Sequence, residues 1–190
     1  MYEDAERKET LLDLCRFSTN ENDEIMSLSS YLEKMPENQK DIYYISAETR
    51  SQALASPHLE GFKSKNIPVL IMTDAIDQFW LPMIGSFKDK KFTSITQGQI
   101  NLDDLDEKNK DKKSDSKDQK EKQDKEFVDL IAQMKVVLGE QVKDIRLSSK
   151  LTDSPVCLVA DDGDMDIAME QLMAQRDHFA FFWVWFLLFS

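Results

Sequence analysis

Apolar and polar positions follow helical and strand-like periods in turn along the first part of the chain. Apolar residues recur at helical spacing over 5–17. The segment Ser27–Met35 begins a second helix, which the Ser27 hydroxyl can cap. Pro36 ends this helix, because a proline pushes the residue before it away from helical geometry. The next segment, 41–46, is rich in isoleucine and tyrosine and predicts a strand.

The two patterns continue to alternate through the first hundred residues. A helix is predicted over 47–55, and Pro57 starts another, since proline is tolerated in a first helical turn. The run 68–72 is apolar throughout, as in a buried parallel strand. A helix opened by Thr73-Asp74 and a third strand over 91–95 complete the series. This order predicts a small three-layer α/β/α subdomain with right-handed crossovers.

Composition changes sharply after this subdomain. Residues 103–126 contain ten acidic residues and eight lysines but one apolar residue, Leu105. Such a tract buries too little surface to offset its ordering entropy, unless a lone helix forms by pairing of opposite charges. We therefore predict a solvated charged linker over 101–126, with an interaction segment of mixed charge as the alternative.

The last part of the chain predicts a partial α+β domain over 127–175. An amphipathic helix begins at Phe127 and ends at Gly139, a common helix terminator. The segments 142–147 and 156–159 predict the two strands of an antiparallel β-hairpin with a long loop. A second amphipathic helix, with methionines on one side, is predicted to begin at Asp164.

Charge and cysteine content exclude several function classes. The net charge is −12, and an acidic surface repels phosphate, so no nucleic-acid partner is expected. Cys15 and Cys157 are far apart and lie outside any zinc or redox motif, which favours two reduced thiols in the cytosol. The charged N-terminal segment does not have the pattern of a signal peptide.

Neither a phosphate-binding loop nor a catalytic arrangement can be assembled from the sequence. The five glycines are too widely spaced for a glycine-rich phosphate cradle. His58 and His178 lie 120 positions apart, without metal-ligand spacing. His58 stands in a predicted first helical turn, where a surface or hydrogen-bonding role is expected. The residues alone therefore predict an interaction module and not an enzyme, with no catalytic residue, metal or cofactor.

Three stretches resemble motifs of the heat shock protein 90 chaperones. The first is 39–46 followed by 56–60, which is similar to QKxIYYIT…SPHLE. The second, 69–79, is similar to VLxxTDxIDEx. The third, 142–148 with 151–156, is similar to VKDVRLSxRLTDSPA. Together, and in this order, the three stretches are specific to this family, and the short charged linker indicates its bacterial type.

The resemblance covers about residues 4–175 and implies a piece of a larger chaperone. Residues 1–100 correspond to the C-terminal part of its middle domain, and 127–175 to the start of its C-terminal domain. Family members are homodimeric, ATP-driven clamps in the cytoplasm that bind partly folded client proteins. Their ATP and magnesium site and their dimer bundle correspond to no part of this chain. We therefore expect neither ATP hydrolysis nor a specific homodimer from it.

The resemblance also implies a surface that contacts clients. An acid–aromatic pair in the helix after the second strand, and a methionine-rich helix in the C-terminal domain, form this surface in the bacterial family. The acid of that pair is lost here and the aromatic residue is changed. Two adjacent aromatic side chains on a helix point about 100° apart, so we expect at least one to be exposed; the alternative is that both are core residues. The candidate client-binding residues are Gln78, Phe79, Trp80, Met169, Leu172 and Met173.

The resemblance stops before the segment 176–190. Eleven consecutive apolar residues, 179–189, are too few for a bilayer-spanning helix, which needs about 20. We interpret the segment as an aberrant tail from a disrupted reading frame and expect no membrane partner. The alternative is a stand-alone protein-interaction or membrane-surface module anchored by this aromatic tail.

Overall fold

A computed structural model describes residues 7–98, 100, 102, 115–148, 150–161 and 164–174. These residues form two compact units. The described residues up to 100 and from 150 onward make the first unit, and those between 101 and 149 make the second. The tail 176–190 lies outside the described residues.

A five-stranded mixed sheet organises the first unit, with β2 at its centre. β2 pairs in parallel with β3 on one side and with β5 on the other. The short edge strands β1 and β4 pair antiparallel with β3 and β5. The three predicted strands are confirmed, and so is the parallel pairing. The strands are β1 (Ser18–Thr19), β2 (Ile42–Ser46), β3 (Leu70–Met72), β4 (Ser86–Phe87) and β5 (Lys90–Ser94), in the order β1-β3-β2-β5-β4.

The described residues of this unit form six α-helices. The Ser27 hydroxyl caps the second of them by accepting a hydrogen bond from the Ser30 N–H, as the sequence predicts. A 3-10 turn, Pro57–Leu59, leads directly into the fourth helix. The helices are α1 (Lys8–Leu14), α2 (Leu28–Lys34), α3 (Arg50–Leu54), α4 (Glu60–Ser64), α5 (Asp77–Ile84) and α7 (167–174).

Alternate side chains of β2 enter two different cores. Ile42 and Tyr44 join a cluster to which α1, α2 and α5 also contribute. Tyr43 points to the other face, where its ring lies 5.1 Å from that of Phe62 on α4. Helices therefore cover both faces of the sheet, which confirms the predicted three-layer α/β/α arrangement. The cluster on the first face contains Leu12, Phe17, Met26, Leu28, Tyr31, Ile42, Tyr44, Leu70, Met72, Leu81 and Phe87.

The second unit is built around one long helix, α6 (Asp115–Leu138). Its C-terminal half is the amphipathic helix that the sequence predicts, and Gly139, with φ of +51°, follows its end. Its N-terminal half lies in the predicted charged linker, and the tract is helical from Asp115 onward, which is the lone helix that the sequence left open. Opposite charges stand four positions apart in this tract, as at 118 and 122, and such spacing stabilises a helix.

The predicted β-hairpin is not formed. The described residues among 142–148 and 156–159 are irregular, and 142–148 belong to a different compact unit from 156–159. A two-stranded hairpin is only marginally stable without a third strand or a helix against one face, so alternation alone does not suffice. In place of a hairpin strand, Ala160 makes one parallel bridge to Gln97.

Candidate functional site

The outer face of α5 is an exposed apolar ridge. Ile76, Phe79 and Met83 are exposed to 64%, 41% and 59%. They stand three and four positions apart, so they lie on one side of the helix. Apolar side chains grouped in this way at a surface are available for contact with another protein. We call these three residues the α5 ridge.

Trp80 differs from its neighbour Phe79. Its ring is half-buried against the first core, 6.3 Å from the ring of Phe17 and 6.4 Å from that of Phe92. The indole Nε1–H donates a hydrogen bond of 2.7 Å to the Asp77 carboxylate. The expectation that at least one of the two aromatic residues is exposed is therefore confirmed by Phe79. Trp80 instead fixes α5 on the sheet.

A cavity of about 420 Å³ opens where the parallel strands end, and we call it the strand-end cavity. Residues that follow β2, β3 and β5 form one side, and α7 forms another. Ligands of α/β proteins bind at this edge of a sheet, outside the carboxyl ends of the strands. Gln78 and Leu172 both line the cavity, so the two predicted segments meet there. Met169 and Met173 are half-buried on α7 but do not line it.

Two polar atoms in the cavity wall have no hydrogen-bond partner among the described residues. They are Nδ1 of His58 and Oε1 of Gln78, and both are shielded from solvent. The His58 side chain is only 7% exposed, and the Leu158 carbonyl accepts a hydrogen bond from its ring. Burial and the nearby Lys150 ammonium lower the pKa of His58, which favours a neutral imidazole. Of the two roles expected for His58, the surface position is wrong, because the residue is buried, and the hydrogen bond to Leu158 agrees with the other.

A carboxylate from α4 fixes the segment that leads to α7. Glu60 accepts backbone hydrogen bonds from Thr152, Asp153 and Ser154, at 2.8 to 3.2 Å, and another from the Ser154 hydroxyl. The Ser154 hydroxyl and these N–H groups lower the pKa of Glu60 to about 2. Two of the motifs that carry the family resemblance therefore contact each other here.

A second carboxylate holds the start of α7 beside β5. Asp166 accepts hydrogen bonds from the hydroxyls of Ser94 and Thr96, and the second of these measures 2.7 Å. Its other oxygen accepts from the Ala168 N–H at 3.0 Å, as in an N-cap. The buried Lys150 ammonium donates to backbone carbonyls just after β5, at 3.4 and 3.5 Å. These bonds position Leu172 at the cavity.

Sequence reasoning missed the roles of Glu60, Lys150 and Asp166. Their partners lie more than fifty positions away, and no local period reveals such contacts. The sequence did carry a signal for Glu60, since Glu60 lies in the first motif that resembles the family and its partners 152–154 lie in the third. The structure assigns the six predicted residues to three environments: Phe79 on the ridge, Gln78 and Leu172 at the cavity, and Trp80, Met169 and Met173 half-buried beside these surfaces.

Neither a metal-ligand cluster nor a membrane-spanning helix occurs among the described residues. In the part of the chain that the structure describes, no three His, Cys, Asp or Glu side chains are grouped as metal ligands. Of the described helices, none is long and apolar enough to cross a bilayer. Both cysteines are free thiols, and burial raises the pKa of each.

Comparison with known proteins places this geometry in a family. The model of the Hsp90 protein family matches residues 1–179. The chaperone protein HtpG of Roseobacter denitrificans is 42% identical over 176 residues, which are 93% of this chain and 28% of that protein. HtpG of Psychromonas ingrahamii is 43% identical over 176 residues, which are 91% of this chain and 27% of that protein.

A solved structure is also similar to part of the chain. The middle domain of a heat shock protein from Plasmodium falciparum is 35% identical, with a TM-score of 0.48, over 51% of this chain and 41% of its own.

The chain spans little more than a quarter of the length of the curated relatives that it matches. Because the family match covers nearly all of its residues, the chain belongs to the Hsp90 family of molecular chaperones.

Proposed function

We propose that this chain binds partly folded client proteins, through the α5 ridge and the adjoining wall of the strand-end cavity. The observation that carries the proposal is the meeting of Gln78 and Leu172 at one cavity. Gln78 also stands next to Phe79 of the exposed ridge. A client segment could place apolar side chains on the ridge while its backbone or polar groups enter the cavity.

The chemistry of this surface suits varied partners. Phe79 offers a large apolar face, and Met83 and the methionines of α7 have flexible thioethers that adapt to different shapes. An exposed aromatic ring of this kind contributes about 1–2 kcal/mol when a partner covers it. A surface with few such groups binds weakly. We therefore propose weak client binding by this chain, in the manner of one part of a larger chaperone.

ATP binding and dimer formation are not part of the proposed function. The sequence contains no glycine-rich phosphate cradle, and its resemblance to the family covers neither the nucleotide domain nor the dimer bundle. We propose that the chain alone is not an ATPase, requires no cofactor and forms no specific homodimer. A reducing cytoplasm is the proposed compartment, since Cys15 and Cys157 are both free thiols.

A pair of matched phenylalanine variants tests client binding. Phe79 and Phe127 are both exposed to 41%, but Phe127 lies on α6 in the other compact unit. Fluorescence anisotropy with labelled lysozyme, reduced and alkylated so that it stays unfolded, measures the affinity. We expect Phe79→Ala to weaken binding about tenfold, because a ring worth about 1–2 kcal/mol is lost. Phe127→Ala should leave the affinity unchanged. Equal affinities for both variants and the parent chain would show that the ridge does not bind clients.

A further inference from the structure

We infer that the strand-end cavity accepts the side chain of an arginine carried by a client segment. This inference rests on the proposed client binding and adds a chemical preference to it. The cavity volume of about 420 Å³ lies within the range of roughly 300–1,000 Å³ that is usual for pockets with small ligands. Three groups of its lining are the basis for the inference: an imidazole, an amide and a carboxylate.

The buried groups of the cavity require hydrogen-bond donors. His58 is more than nine-tenths buried, and its Nδ1 has no partner among the described residues. Because the other side of the ring already donates to the Leu158 carbonyl, the neutral imidazole presents Nδ1 as an acceptor. Oε1 of Gln78 is a second acceptor without a donor. An unsatisfied buried acceptor is costly, so a ligand that brings donors gains affinity once these two side chains turn their shielded acceptor atoms toward it.

The rim of the cavity favours a cation. Asp74 is an exposed residue of its lining and contributes a carboxylate. The net charge of −12 for the whole chain also attracts basic segments. A neutral donor such as an amide would satisfy the interior acceptors but would gain nothing from this rim.

Arginine combines the required properties better than lysine does. A guanidinium group has five N–H donors and no acceptor, in a planar fork that can bond several oxygens or nitrogens together. Its aliphatic stem can pack against Ala47 and Leu172, which line the same cavity. Gln78 is half-buried, so its side chain can rotate to bring Oε1 to the ligand. Lysine would supply the charge but not the planar set of donors.

Three unstructured peptides test the inference on the full chain. They share one apolar sequence and carry arginine, lysine or citrulline at the central position; citrulline keeps the shape of arginine and removes its charge. We expect the arginine peptide to bind about tenfold more tightly than the citrulline peptide, which is the effect of one charge-assisted set of hydrogen bonds. The lysine peptide should lie between them.

Substitutions locate this preference in the cavity. Asp74→Asn and Gln78→Leu should each reduce the difference between the arginine and citrulline peptides. Asp89→Asn is the matched control, because it removes the same charge at a position that does not line the cavity. It should retain the full difference. A preference for arginine that survives Asp74→Asn and Gln78→Leu would overturn the inference.

The His58 ring gives a direct spectroscopic readout. In a His178→Gln chain His58 is the only histidine, so its Nδ1 resonance can be followed by nitrogen NMR while the arginine peptide is added. If the Nδ1 chemical shift moves to the value of a hydrogen-bonded acceptor nitrogen, the inference is supported. If the shift is unchanged when the peptide saturates the chain, the inference is overturned. Equal binding of arginine and citrulline peptides would refute the inference and leave client binding intact. No binding of any peptide would refute both.

Discussion

Two carboxylates, those of Glu60 and Asp166, hold the segment from 152 to the start of α7 in place. Glu60 satisfies three successive backbone N–H groups, and Asp166 binds two hydroxyls and the first turn of α7. A carboxylate can do this because each of its oxygens accepts more than one hydrogen bond. The sequence motifs included Glu60 and its partners. Only the structure shows that they contact each other, since 92 to 94 positions separate them.

Loss of the Glu60 charge should destabilise the first compact unit in a pH-dependent manner. Its pKa falls from an ordinary 4.5 to about 2 in the folded chain, so the folded state favours the ionised form. This contribution is fully present above pH 4.5 and disappears as the pH falls towards 2. Glu60→Gln should therefore unfold at a lower urea concentration than the parent chain at pH 7, and this difference should shrink towards pH 2.

Urea unfolding followed by circular dichroism, and amide exchange at 152–154, measure these effects. Glu33→Gln is the control, since Glu33 is an exposed residue of α2. It should match the parent chain at every pH. A Glu60→Gln deficit that stayed constant between pH 5 and pH 2 would contradict the role of the ionised carboxylate.

At the scale of elements, periodic patterns predicted the middle of the sheet and failed at its edges. β2, β3 and β5 carry recognisable β-forming or apolar runs, whereas β1 and β4 have two residues each and cannot show a period. The predicted linker contains the first half of α6, because charges spaced by four positions can support a helix without a core. The hairpin prediction was wrong because alternation of apolar and polar residues does not show whether a partner strand lies beside the segment.

The anchoring of α7 can be tested with one substitution. Asp166→Ala removes the cap and the bonds to Ser94 and Thr96, which should cost about 1 kcal/mol or more for the cap alone. Amide exchange of 167–174 should accelerate, and peptide binding at the strand-end cavity should weaken. The exposed Asp164 is the control, and Asp164→Ala should change neither quantity. Unchanged exchange in Asp166→Ala would show that other contacts hold α7.

At the scale of the whole molecule, the chain is a member of the Hsp90 family whose described residues form two compact units. The resemblance predicted the family, and the comparisons confirmed it. The six predicted client-binding residues stay a prediction, although the geometry places two of them at one cavity and one on an exposed ridge. The sequence predicted that Phe79 or Trp80 is exposed but not which of them, because periodicity does not say which face of α5 meets the sheet.

The chain should not bind ATP. It contains no glycine-rich phosphate loop, and its family resemblance corresponds to the middle and C-terminal parts of the chaperone. Isothermal titration of the full chain with magnesium-ATP should give no saturable heat. A saturable isotherm with a micromolar dissociation constant would contradict this expectation.

The measurement that tests client binding most directly is NMR shift mapping on the isotope-labelled full chain. Unfolded lysozyme, reduced and alkylated, is added stepwise and the amide resonances are followed. Client binding at the proposed site predicts that shifts cluster at the α5 ridge, at Gln78 and at Leu172, with residues 127–138 of α6 unchanged. Shifts that cluster on α6, or an absence of shifts at the ridge when lysozyme is in excess, would contradict the proposed function.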